Sequence, residues 1–80
     1  MSPKDYYVTN QGRRWQFEVD GDLFGPYSTE GDAIAAAIAD AREALREGSP
    51  GARVLATTKD GSWELRWDSS AAAASANDGP

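Results

Sequence analysis

The chain has 80 residues, 13 acidic against 8 basic side chains, a net charge of -5, and neither cysteine nor histidine. Disulfides, nearly all zinc and transition-metal sites, and catalysis by a histidine base or a cysteine nucleophile are thereby excluded. The basic residues are scattered, which argues against duplex nucleic acid, a ligand bound chiefly by neutralising its phosphates. A domain this small buries only about 60% of its unfolded surface. With disulfides and metals gone, local packing or a partner subunit must stabilise it. The opening MSPKDYYV has no apolar leader segment, and no apolar run approaches the roughly 20 residues that cross a bilayer. A cytoplasmic protein is expected.

Residues 5–20, DYYVTNQGRRWQFEVD, read as a hairpin. Tyr6 and Val8 alternate with Tyr7 and Thr9, Asn10-Gln11-Gly12 supplies the turn, and Trp15, Phe17 and Val19 alternate with Arg14, Gln16 and Glu18. Such period-two alternation marks strands with one buried face. Asp20-Gly21-Asp22 is a second turn signal. Leu23-Phe24 then suggests a brief third strand, cut short or held at an edge by Gly25-Pro26, because proline cannot donate to a ladder.

Thr29 with Asp32 three residues later is close to a capping box, and Glu30 and Asp32 place negative charge at the positive end of the helix dipole. From Ala33 onward, Ile34, Ile38, Ala41 and Leu45 fall on one face, flanked by Ala37 and Ala44. Asp40, Arg42, Glu43, Arg46 and Glu47 take the rest, as in an amphipathic helix of about four turns. Gly48 and Pro50 stop it. Residues 52–58 form the next strand, and Lys59-Asp60-Gly61-Ser62 turns the chain into a last one. There Trp63, Leu65 and Trp67 share one face, with Glu64, Arg66 and Asp68 on the other. Trp63 is expected in the core and Trp67, at the end of the domain, is the ring available to a partner.

The order predicts a single α+β domain over residues 5–67, a two-layer sandwich with an antiparallel sheet of four or five strands, ββ(β)αββ, and one helix on one face. Residues 1–4 are expected to be flexible. Residues 68–80 carry too little apolar surface to offset their chain entropy and are expected to be disordered.

Tyr7-Val8, the polar turn, Trp15, the Asp20-Gly21 turn, Thr29-x-x-Asp32-Ala33-Ile34 opening an alanine-rich helix, Val54 and the Asp60-Gly61 turn together resemble the small bacterial and phage family known as domain of unknown function 2188. The resemblance spans residues 5–67 and implies a strand-strand-helix-strand-strand module without assigned activity. The segment GPYSTEGDAIAAAIADAREAL also looks like the strand-to-helix part of HicB-type antitoxins, which implies, as an alternative, a domain that neutralises a small RNA-cleaving toxin.

No catalytic, cofactor-binding or metal-binding residues are expected. Asp20 and Asp22 flank a turn glycine, where acidic residues are conformationally favoured, and with Glu18 they lack the ligand spacing of a calcium loop. The glycines punctuate turns one by one, without a phosphate-loop arrangement. Arg13 and Arg14 beside Trp15 could meet a nucleic-acid base or an acidic partner, but a cross-strand pair between Arg14 and Glu18 or Glu64 is the simpler reading. The cluster Asp20, Asp22, Glu30 and Asp32, extended by Asp40, Glu43 and Glu47, suggests a nucleic-acid mimic. Arg42 and Arg46 interrupt it as on an ordinary solvated helix. One helix covers only one face of a sheet, and Tyr7, Phe24 and either Val54 or Leu55 fall on the other. A homodimer through that face or an edge strand is therefore expected, with Tyr7, Arg14, Phe24, Leu55 and Trp67 as its candidate contacts.

Overall fold

Tight turns fold the first third of the chain back on itself twice. Asp20 and Gly21, the two central residues of the second turn, both have positive φ, 53° and 84°, as a two-residue hairpin turn that matches strand twist requires. A computed structural model describes residues 3–70. It contains strands β1 Lys4–Gln11, β2 Arg14–Val19 and β3 Asp22–Tyr27, helix α1 Glu30–Arg46, and strands β4 Ala52–Thr57 and β5 Trp63–Asp68. The five strands form one sheet in the order β3-β2-β1-β4-β5 with α1 packed on it. This is the anticipated α+β arrangement.

Two features differ from expectation. The sheet is mixed: β1 pairs with β4 in parallel, while the other three pairings are antiparallel. Parallel neighbours need a long crossover, and α1 supplies it. In addition, β3, which lies at the edge as anticipated, is six residues long and runs through Gly25-Pro26 rather than stopping there. It does so by bulging, since the register shifts between Trp15/Tyr27 and Phe17/Phe24. Gly25 has φ +142° and a Cβ there would lie 3.1 Å from the Trp15 carbonyl oxygen, so only glycine fits.

The helix ends are built as the sequence suggests. Thr29 is the N-cap, its hydroxyl accepting from the Asp32 N–H at 3.1 Å. At the other end, the Ser49 N–H donates to the Ala44 carbonyl (3.0 Å) and the Gly48 N–H to that of Leu45 (3.2 Å), with Gly48 at φ +108°. That pair of bonds is a Schellman motif. Replacing Thr29 by alanine should cost about 1 kcal/mol in urea unfolding, with no change in m-value.

The face α1 turns to the sheet is centred on Ala33, Ala37 and Ala41, each fully buried, with Ala44 nearly so. Ile34, Ile38 and Leu45, expected at its centre, instead flank it half-buried. The small side chains let the helix axis approach the sheet, and the larger ones fill the angles at either side. Opposite them lie Tyr6 and Val8 of β1, Phe17 and Val19 of β2, and Ala52, Val54 and Ala56 of β4. The fully buried Tyr6 keeps one polar tie, its hydroxyl donating to Asp40 Oδ2 at 2.7 Å.

Lys4 already belongs to β1 and Asp68 still belongs to β5. The Ser69 hydroxyl beyond it accepts from the Ala52 N–H at 3.0 Å. The expected disorder from residue 71 onward lies outside the described residues.

Candidate interaction surface

Cross-strand registers assign every side chain to one of two faces. Tyr6 lies opposite Val54, so Tyr7 and its partner Leu55 face away from the helix. On β5, Leu65 pairs with Leu55 and Trp63 with Thr57, whereas Trp67 pairs with the buried Val54. Three residues of β5, Leu65 to Trp67, thus oppose two of β4. Arg66 is the extra residue of a bulge, and the bulge reverses the alternation beyond it. Its guanidinium stays on the helix side, with Nη1 3.0 Å from Glu30 Oε1 and Nε 3.7 Å from Glu64 Oε1.

The two tryptophans therefore exchange the places expected of them. Trp67 packs half-buried against the core. Trp63 stands on the open face at 48% exposure beside Leu65 at 51%. The Tyr7 ring meets the Trp63 ring edge-on, centroids 5.0 Å apart at 66°, a favoured aromatic geometry. Tyr7, Leu55, Trp63 and Leu65 form one contiguous apolar patch over β1, β4 and β5. Leu23, 62% exposed, adds a separate apolar point on the same face at the β3 edge, opposite Glu18.

Phe24, expected on this face, is on the other. It pairs with Phe17 across β2 and β3 and stacks on its ring at 5.0 Å, with Tyr27 stacked on Phe17 at 6.1 Å. Arg14 does lie on the open face, opposite Gln11 at one end of the sheet. It makes neither of the expected pairs, because Glu18 is opposite Tyr7 and the Glu64 carboxylate is beside Arg66 on the helix side.

At the other end of the open face, Arg53 grips Asp5 in a two-pronged pair, Nε to Oδ1 at 3.0 Å and Nη2 to Oδ2 at 3.1 Å. Asp68 lies across from Arg53. The Asp5 carboxylate raises the Arg53 pKa further above its ordinary value, so the fork is fixed in its charged form.

Acidic residues elsewhere do not converge. Asp20 pairs with Lys4 at 3.3 Å, Glu30 with Arg66, and no cluster of metal-ligating side chains occurs among the described residues. In the β4–β5 turn, the Thr58 hydroxyl and the Ser62 N–H donate to Asp60 and hold its carboxyl below the usual range. A cleft of about 640 Å³ opens on the helix side beside Trp15, Lys59 and the Glu30–Arg66–Glu64 chain. Its two carboxylates share one guanidinium, which ties the helix start to β5. A smaller one of about 330 Å³ lies along Arg14, Leu23 and Phe24.

No helix among the described residues is long and apolar enough to cross a membrane. Compared with protein-family models, curated proteins and solved structures, the chain matches none.

Proposed function

We propose that this protein is a non-enzymatic, cytoplasmic interaction module that self-associates through the sheet face opposite its helix. The observation that carries the reading is the patch of Tyr7, Leu55, Trp63 and Leu65, with Trp63 and Leu65 half exposed on a face that no element among the described residues covers. A soluble domain stabilised only by a small alanine-packed core gains from covering such a patch. Tryptophan and tyrosine are also among the residue types enriched at interface centres.

The acidic-mimic alternative loses ground, because two of its four clustered carboxylates, Asp20 and Glu30, are tied to Lys4 and Arg66. Sedimentation from nanomolar to high micromolar concentration tests the proposal. The expected result is a reversible dimer that Trp63→Arg converts to a folded monomer. A wild-type mass that stays monomeric throughout would refute it.

A further inference from the structure

The open face has two unlike ends along the strand direction. The end where Gln11 meets Arg14 and Thr57 meets Trp63 is basic. Arg13 and Arg14 lie there, with Lys59 against Asp60 in the adjoining turn. At the opposite end Asp5 and Asp68 flank Arg53 on the open face, which makes it acidic by one charge; Asp22, opposite the inward Val19, and Lys4 with its partner Asp20 lie toward the helix side. The apolar patch lies between the ends and toward β5. Its midline across the strands runs between the row Tyr7–Leu55–Leu65 and the row Thr9–Thr57–Trp63.

We infer that two copies pack open face to open face about a two-fold axis lying in the interface and running across the strands, so that the Arg14 end of each copy covers the Asp5–Asp68 end of the other. The inference rests on the open face being the contact surface. It adds the partner's orientation, which charge decides. A two-fold along the strands through the same patch would set Arg53 on Arg53 and Asp5 against Asp68 of the second copy, and like charges so placed oppose association. The axis across the strands sets basic on acidic twice, and puts each Trp63 ring over Leu65 of the second copy. An isologous contact is self-complementary in just this sense.

Edge-to-edge pairing is the remaining geometry, and both edges are blunted. On β3, Pro26 lacks an N–H and sits in the bulge region; on β5 the Arg66 bulge breaks the regular ladder. These are the devices by which sheets avoid edge pairing. The size of the face agrees with a reversible contact. Five strands at about 4.8 Å spacing and some six residues in length span roughly 19 by 20 Å in plan. This is below the class of obligate dimers, which bury well over about 1,000 Å² per partner.

The absence of cysteine makes the test clean, since a single introduced thiol has only its own copy to react with. Glu18→Cys lies close to the midline and on a strand away from the patch centre. With a short bismaleimide it should cross-link to itself only when the axis crosses the strands. Arg53→Cys lies at the acidic end of β4, the middle strand of the patch, and should cross-link to itself only when the axis runs along the strands. Cross-linking at 18 and not at 53, with an Arg14→Glu dimer weakened about tenfold at low salt and less at high salt, is the expected result. Cross-linking at 53 and not at 18 would overturn the orientation while leaving the open face as the contact. A dimer that cross-links at neither position and ignores Trp63→Arg would place the contact at an edge and overturn it as well. A monomer at every concentration would sink the function proposed above, and this inference with it.

Discussion

Tyr6→Ala is expected to remove most of the stability of the domain. Tyr6 is fully buried at the centre of the sheet, where its ring lies 5.9 Å from that of Phe17 and its hydroxyl reaches Asp40 on α1. Truncating a buried aromatic costs about 3–5 kcal/mol. A folded unit of this size holds roughly 3–10 kcal/mol in total, at about 0.05–0.15 kcal/mol per residue. Tyr6→Phe separates the two contributions: it keeps the ring and deletes the one polar link between helix and β1, for a loss of about 1–2 kcal/mol.

The same hydroxyl sets an alkaline limit. Burial first, and then the bond to the Asp40 carboxylate, raise the Tyr6 pKa well above the ordinary tyrosine value. The unfolded chain therefore releases this proton before the folded one does. The stabilisation is complete below about pH 10 and is lost as pH rises from there toward the folded pKa, by at most about 1.4 kcal/mol per pH unit. Urea midpoints of wild type and Tyr6→Phe should converge over that window. A constant gap between them up to the most alkaline pH would show that the hydroxyl is not held neutral by the fold.

The second large effect is a contrast between two identical residues. Trp67→Ala should cost about 2–4 kcal/mol, because the ring is packed against Val54 and the core and its loss opens a void at the end of the helix-facing layer. Trp63→Ala should change monomer stability by less than about 1 kcal/mol, the worth of one edge-to-face aromatic pair on a solvated face. It should nevertheless weaken the dimer severely. Urea unfolding at low protein concentration, set beside sedimentation of the same variants, separates the two roles. Equal stability losses for both variants would contradict the assignment of the rings to opposite faces.

Element order, the Thr29 cap, the Gly48 stop and the inward set Tyr6, Val8, Phe17 and Val19 are legible in the sequence because each depends on residues within a few positions of one another. Face assignment failed for Trp63 because of the length of the turn before it, for Trp67 because a bulge follows Leu65, and for Phe24 although the Asp20-Gly21 turn carries it in unbroken register to the inward Phe17. Each bulge inserts one residue and reverses every side chain beyond it. In β5 this parts Trp67 from Trp63 and Leu65. In β3 it lets Phe24 and Tyr27, three positions apart, stack on one ring. A two-residue Asp60-Gly61 turn would set Trp63 across from Thr58, which has the parity of the inward Val54; the loop is instead one residue longer, with the Thr58 N–H donating to the Ser62 carbonyl at 2.8 Å, and this sets Trp63 across from Thr57 and turns it outward. The parallel pairing of β1 with β4 had no local signal at all. It follows from where α1 returns the chain, which no window of sequence contains.

That pairing also dictates how the molecule comes together. β1 sits at the middle of the sheet, yet its second neighbour arrives late, with Tyr6 pairing to Val54 across 48 positions of chain. The three-strand meander and the helix can form from short-range contacts, but they leave the inner flank of β1 unpaired and half of the alanine stripe without a floor. Closing so long a loop is the costly event. Docking of β4 is therefore the expected committing step of folding, and substitutions in the β1–β4 seam, such as Val54→Ala, should slow refolding as well as speed unfolding.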